Sequence, residues 1–554
     1  MHPSLTHPTL QTRISSPRVA SRVSIAIILF VFFSLLCLAL RSNQFTAVDG
    51  ALRCLEVYHH PHLFFHGNNH LLYPVNVLAW SKLASSLGLS LATPTEYMHV
   101  SQSMNSLSAA ATVALLWLLV SGMLDDPVLS LLLVSVYGFS RAFVFHATNS
   151  AEPVVGLMYA IASLLMLRIA LQRNNWVFIC ISGILLGLAL ATYQAMFLVV
   201  GGCLWMCFFP EAAGLKDYST RFGIRTASIF SIACALTVAA IFGSAFSSQG
   251  VQFGWPMIQK FFLIGGGADV YGRFSISKLL NFPIGLLNDL APVVPNDYGG
   301  IRSLLARPDR RVWFVRVAVV GALVYIPLIT WAISSLRKYK QWPQRWKWLI
   351  LAGVGVMIPI FWPALYWDPM YDKLWLLPLA VLTLFISYVA SMVPWRGRTR
   401  STALFLLLAL AAIEIPSNLY RAFRDSRSET QGLKEASRLM SIVTQNDGIV
   451  VDFDKVSSLY VGYAGTEHAI VLPAMSPSTA KPSVDALLAA CRAKGGHLYF
   501  FEIMDESEVA WNSFLGARVG IPYSSFAQYR SHSRVVEQFP MDGHPLTLRV
   551  YDGD

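Results

Sequence analysis

The stretch VDGALRCLEVYHHPHLFFHGNNHLLYP, beginning at Val48, carries two acids, Asp49 and Glu56, and five histidines, His59, His60, His62, His66 and His70. A carboxylate held next to a hydroxyl or amine can take its proton, which is the work of a general base. Asp49 and Glu56 are seven residues apart, so a helix over 49–58 would point both from one face. Further acids stand in NSAEP (Glu152) and YWDPMYDK (Asp368 and Asp372). Lys373, Arg141 and Arg273 offer positive charge that could stabilise a departing anion such as a phosphate. Each also has a plain structural reading. Asp49 could be a solvated acid, Glu152 a first-turn acid favoured by the helix dipole, Asp368 and Asp372 loop charges, and Arg141 an interfacial anchor. His66 and His70 are four apart, as in some metal sites. Pro61 and GNN interrupt the helix such a site needs, and no HExxH motif occurs. One or two histidines lining a cleft is the simpler reading, and a divalent metal is left open rather than assigned.

The elements that must hold these groups are membrane helices. Of 554 residues, 55% are hydrophobic and only 13% charged, where a soluble domain is about one-quarter charged. Apolar runs of about 17–25 residues recur, long enough for roughly 30 Å of hydrocarbon. The net charge of +11 reads as basic cytoplasmic loops rather than a nucleic-acid surface, so no nucleic-acid partner is expected. Seven cysteines form no disulfide pattern. Arg13, Arg18 and Arg22 precede an apolar run that lacks a small-residue cleavage site, which reads as a retained helix rather than a signal peptide.

Spans are expected near 23–40, 99–121, 128–146, 153–171, 176–193, 195–210, 226–246, 312–335, 347–366, 371–392 and 401–418, about eleven within a range of roughly ten to thirteen. With residues 1–22 as a cytoplasmic tail, four basic connections fall inside: Arg168 with Arg173, Lys216 with Arg221 and Arg225, SSLRKYKQWPQRWK, and PWRGRTR. The outer side then receives loops 41–98 and 247–311, the turns HATNSAEP and YWDPMYDK, and the tail 425–554. In that tail DGIVVDF, HAIVLP and GGHLYFFEI read as buried strands, and KPSVDALLAACRAK has helical spacing. An extracytoplasmic α/β domain is expected there. The acids thus collect at outer helix ends, whereas a transporter places ionisable groups near the midplane, often in repeated halves. Glu414 is the clearest charge inside a span, placed near a helix end. DFD at Asp452–Asp454 has the DxD shape but faces a compartment without nucleotide sugars. GGG at Gly265–Gly267 lacks the Lys-Ser/Thr of a phosphate-binding loop.

In this arrangement the chain resembles the GT-C membrane glycosyltransferases, of the protein-mannosyltransferase-like kind, over residues 20–420. VDGALRCLEVYHHPHLFFHGNNHLLYP is similar to their first outer loop, which places Asp49 on the catalytic acid and NHLLYP on the stretch leading back to the membrane. NSAEPVVGLMY resembles the second acidic position and carries Glu152 onto it. WDPMYDKLWLLPLA resembles the late outer loop and carries Lys373 over as a lipid-phosphate contact. Many members have adjacent acids, whereas this chain has Asp-Gly, with Glu56 further on. The resemblance implies a polyprenyl-phosphate sugar donor or a diphosphate relative and a lipid, glycan or protein acceptor, among membrane lipids. The short loops and the absence of a retention signal point to a bacterial plasma membrane. The chemistry points the same way, because an outer-face enzyme has no nucleotide pool and must receive activated sugar on a lipid. Asp49 and Glu152 are then the expected catalytic residues, and Glu56, His70, Arg141, Arg273 and Lys373 the expected substrate contacts. The other readings are a transporter or flippase of lipid-linked saccharides, and a non-enzymatic scaffold.

Overall fold

The computed structural model describes residues 17–43, 48–124 apart from 60–69, 126–208, 220–248, 276–290, 310–320, 372–391, 397–427, 441–451, 469–472, 477–501, 507–511, 522–541 and 544–553, with a few isolated positions between. Loop residues 60–69, the proposed span 347–366, the DFD motif, Arg273 and Asp368 lie outside them.

Helix α1 (Pro17–Ala39) leads to the short α2 (Val48–His59) and α3 (Leu72–Ser86), and then to the long α4 (Pro94–Met123). Thr93 and Glu96 start α4 with a capping box, each side chain bonding the other's backbone, and Pro94 occupies the first turn. Next come α5 (Pro127–Gly138) and α6 (Arg141–Thr148), bent by 62° against each other. Gly138 and Ser140 flank the break, the residue types at which helices kink. A side chain at 138 would come within 2.8 Å of the Phe33 ring on α1. The backbone carbonyl freed at Phe139 accepts from Asn418 Nδ2 at 2.8 Å, which is how broken spans stay satisfied in a bilayer.

Helices α7 (Glu152–Arg173), α8 (Trp176–Thr192), α9 (Leu198–Phe208) and α10 (Thr220–Ser248) follow, then α11 (Ile276–Leu290), α12 (Arg310–Val320), α13 (Leu376–Ser391) and α14 (Arg398–Arg427). Among the described residues five helices are long and apolar enough to cross a membrane: 20–39, 94–123, 152–173, 221–247 and 400–427. The bent α5–α6 pair makes six if it is one span, and 176–192, 194–208 and 376–391 are shorter apolar helices. The protein is thus an integral membrane protein, and the described residues account for fewer full-length spans than the eleven expected. Glu414, expected near a helix end, lies well inside the thirty-residue α14. At one end of the bundle Asp126, which caps α5, pairs with Arg400 at the start of α14. Arg168, counted as a loop charge, is buried instead and donates to the carbonyls of Leu119 and Gly122 at 2.9 and 2.7 Å, satisfying the C-terminal turn of α4.

The tail forms a five-stranded sheet, ordered β2 (Ala469–Val471), β1 (Gly448–Val451), β3 (Leu498–Phe501), β5 (His544–Tyr551), β4 (Ser533–Met541). The first three strands are parallel, and β5 and β4 run antiparallel to their neighbours. Helix α15 (Pro477–Ala493) connects β2 to β3. Val450, Leu498 and Phe500 face a cluster with Val484, Phe526 and Tyr529. Alternate residues Ile449, Val451, Phe501 and Leu548 face the other way, into a cluster with Ala51, Leu55 and Val57 of α2 and Tyr73 and Val77 of α3. Both faces of β1 and β3 are covered, which is why they read as continuous apolar runs rather than alternating ones.

Candidate active site

Three distant segments meet at the end of the bundle opposite the Asp126–Arg400 pair. Asp49 lies in the first turn of α2, where the unpaired amides and the helix dipole favour a carboxylate. Glu152 opens α7, with Pro153 behind it in the first turn. Lys373 sits in a single 3-10 turn, Asp372–Leu374, ahead of α13. Its ammonium donates to Asp49 Oδ2 at 2.6 Å and to Glu152 Oε1. Glu152 and Lys373 are 2% and 9% exposed at their side chains, whereas Asp49 is 47% exposed, so the open side of the cluster belongs to Asp49. His70 Nε2 lies 3.4 Å from Glu152 Oε1. The His70 ring stacks on Tyr193, centroids 5.4 Å apart, and the Lys373 ammonium lies 5.3 Å from the same Tyr193 ring. His70 holds φ of 58°, a left-handed conformation that side chains adopt sparingly and that clusters at functional positions.

Close packing sets the approach of α2 to α7. A Cβ built on Gly50 would stand 1.9 Å from the Ser150 carbonyl oxygen, so α2 rests on the connection between α6 and α7 where only glycine fits. The connection itself is clamped. Asn105 Nδ2 donates to the carbonyls of Asn149 and Ala151 at 2.8 and 2.7 Å. The Ser101 hydroxyl joins those of Ser150 and Tyr73 at 2.8 Å each. Such a fully buried hydroxyl cluster rigidifies the backbone that carries Glu152.

The other expected residues divide. Glu56 is buried and held by Arg53 through contacts of 2.5 and 2.7 Å, so it does not join the Lys373 centre. Arg53, which the sequence reading passed over, stands one turn beyond Asp49, and Asp49 and Glu152 both act on its charge. LRCLE already places Arg53 three residues before Glu56, the helical spacing of an ion pair. Arg141 begins α6 at the bend and is buried. Thr148, at the site end of that helix, is about 10 Å along the axis, so Arg141 lies deeper than the outer-end position expected for it. The side chain of Asp372 is outside the described residues.

The charges shape proton affinities. The Lys373 ammonium, with the Arg53 charge nearby, holds the Asp49 carboxyl well below the usual carboxylate range. Burial lowers His70 to about 4, opposed by the Glu152 carboxylate, so its imidazole is neutral near pH 7. Burial raises Glu56, and Arg53 partly offsets it. Asp49, His70 and Glu152 also bring three ligating atoms within 4.8 Å of one another, a hard oxygen and imidazole set that suits several divalent ions. The Lys373 ammonium supplies the positive charge between the two carboxylates, the place such an ion would have to take.

No protein-family model and no curated protein sequence matches the chain. Solved structures do. ArnT from Cupriavidus metallidurans bound to undecaprenyl phosphate overlies 97% of this chain with 98% of its own, at a TM-score of 0.53 and 10% identity. Its apo state overlies 96% with 97%, at 0.54 and 8%. The apo oligosaccharyltransferase of Archaeoglobus fulgidus is a looser match, 91% with 72% at 0.48 and 11%. The chain has the GT-C fold. Bundle and sheet-bearing tail both fall inside the overlap with ArnT.

Proposed function

We propose that this GT-C protein is a glycosyltransferase that moves a sugar from a polyprenyl-phosphate donor to an acceptor at the extracytoplasmic end of the bundle. The observation that carries the reading is the single Lys373 ammonium held between Asp49 and Glu152, brought from three outer connections. Basic loops at the other end support the orientation, and the fold shared with an ArnT that binds undecaprenyl phosphate supports the donor class. The tail sheet, lying over α2 and α3, shapes the acceptor's approach and supplies neither base nor phosphate contact.

The steps follow from the charges. In the resting centre Lys373 neutralises Asp49 and keeps it a weak base. An arriving donor phosphate competes for the ammonium, with Arg53 as a second cation nearby. Asp49 then loses the charge that depresses its proton affinity while its exposed edge faces the acceptor. The acceptor's nucleophilic atom attacks the anomeric carbon and gives its proton to Asp49. The bond from that carbon to the lipid-phosphate oxygen breaks, and its electron pair leaves with the phosphate, stabilised by Lys373. Glu152, bonded to Lys373 and near His70, orients the ammonium.

The test uses transfer from defined undecaprenyl-phosphate sugars in proteoliposomes. Asp49→Asn keeps size and hydrogen bonding but cannot take a proton, and is expected to cost about 10²- to 10⁴-fold in turnover. Lys373→Met should weaken donor use and raise the donor KM. Near wild-type turnover in folded Asp49→Asn protein would remove Asp49 as the base and turn attention to Glu152.

A further inference from the structure

His146 is 4% exposed on α6, and neither ring nitrogen has a hydrogen-bond partner. Buried polar side chains are nearly always satisfied, and an exception requires an explanation. Its surroundings suggest one. The ring meets the Phe145 ring edge-on, 4.9 Å between centroids. The charges that act on it are those of Lys373 and Asp49, and α6 packs against the turn that carries Lys373. Six residues on, the same segment delivers Glu152. Other buried polar atoms without partners occur around the same centre: Arg53 Nε, His70 Nδ1 and Asn149 Oδ1. Two offer a ring or guanidinium nitrogen and one a carbonyl-type oxygen, a mixed set of donors and acceptors rather than a purely cationic one.

A neutral imidazole has one N–H and one lone pair. A sugar hydroxyl both donates and accepts, so it matches that pair. A phosphate only accepts and leaves the lone pair unmatched, and Lys373 already serves it. We propose that His146 hydrogen-bonds hydroxyls of the donor's sugar ring and thereby sets which sugar the centre accepts. The inference rests on the glycosyltransferase reading above and deepens it. If His146 is matched only by a bound saccharide, replacing it by an apolar ring of similar size should leave the fold intact while removing sugar recognition.

The experiment measures binding of undecaprenyl phosphate and of its glucose, mannose and arabinose esters to the full chain in nanodiscs, with thermal melting in parallel. Wild type should prefer at least one sugar-bearing lipid over the bare phosphate. His146→Phe should bind the bare phosphate like wild type, lose about 5- to 10-fold on the preferred ester, and melt at the same or a higher temperature. His146→Gln, which keeps a donor and an acceptor, should retain part of the preference. A sugar preference unchanged in His146→Phe, or absent from wild type that binds the bare phosphate, overturns the inference alone. A lower melting temperature with equal loss on bare and sugar-bearing lipid makes His146 structural and overturns it too. Wild type that binds none of the four lipids removes the donor reading itself.

Discussion

Gly50→Ala is a sharp probe of how the centre is assembled. The added methyl would lie 1.9 Å from the Ser150 carbonyl oxygen, 2.4 Å from its carbon and 2.9 Å from the Ala151 nitrogen. Real contacts of this kind do not fall below 3.0 Å, so the two backbones must part by about 1.1 Å or more. The Ser150 side cannot yield easily, because Asn105, Ser101 and Tyr73 hold it. Helix α2 must therefore move and carry Asp49 away from Lys373, stretching a 2.6 Å contact. A displacement of about 1 Å in a reacting group costs on the order of 10²-fold, or about 2.7 kcal/mol of transition-state stabilisation. The sign of the stability change is also diagnostic. In open space Ala in place of a helical Gly stabilises by about 0.5–1 kcal/mol, whereas here overpacking should lower it by about 1–3 kcal/mol. The assay is single-turnover transfer in proteoliposomes beside thermal melting in detergent. A Gly50→Ala protein that melts higher and turns over like wild type would refute the close contact and the placement of Asp49 built on it.

Three further outcomes are expected. His70 falls from 6.5 when unfolded to about 4 when folded, so between those values the folded state binds fewer protons and stability drops as pH falls from 6.5 towards 4. Melting at pH 7.5 and pH 5 should show a larger drop for wild type than for His70→Asn, and equal drops would exclude His70 as the cause. For topology, cysteines at the exposed Ser86 and Gln172 should label from outside and only after permeabilisation, respectively. Reversed labelling would move the whole centre to the cytoplasm. Asn149, although in the HATNSAEP turn, is 3% exposed and a poor labelling site. Glu414 is fully buried with neither carboxylate oxygen hydrogen-bonded. Glu414→Leu should raise stability by about 1–3 kcal/mol without loss of transfer, and a folded but inactive variant would give Glu414 a functional role.

The sequence pointed to Asp49, Glu152, His70 and Lys373 through the expected topology together with the resemblance of three short segments to GT-C loops, and the structure brings these four together. Glu56 was drawn in by the same logic and left out by a nearer cation. Arg53 neutralises it within α2, and hydropathy reading gives no weight to such a local pair. Arg141 was placed by counting along one straight span. The break at Gly138–Ser140 puts it at the bend instead, and a glycine and a serine in an apolar run are weak evidence for a kink. Gly50 and His146 carry no motif. Gly50 matters through the Ser150 backbone packed against it, 100 residues away in the chain, and His146 through being buried without a hydrogen-bond partner. The strands DGIVV, AIV and LYFF were visible as apolar runs, but the β4–β5 hairpin was not, because SRVVEQFPM and HPLTLRVY mix charge and proline into their pattern.

The cluster that joins α2 and α3 to the sheet sets an order of events during synthesis. Ala51, Leu55 and Val57 are translated early, and their partners Ile449, Val451 and Leu548 emerge about 400 to 500 residues later. At about 5–20 residues per second the interval is roughly 20–100 s. Throughout it, the apolar side of the helix bearing Asp49 has no sheet to rest on. The membrane helices can insert one after another, but the helix that carries the proposed base reaches its final seat only when the last strands arrive. A chain stalled before β1 would hold every charged residue of the centre and still lack the surface that seats one of them. Completion of the chain thus acts as a biosynthetic checkpoint, withholding the finished centre until the polypeptide is nearly whole.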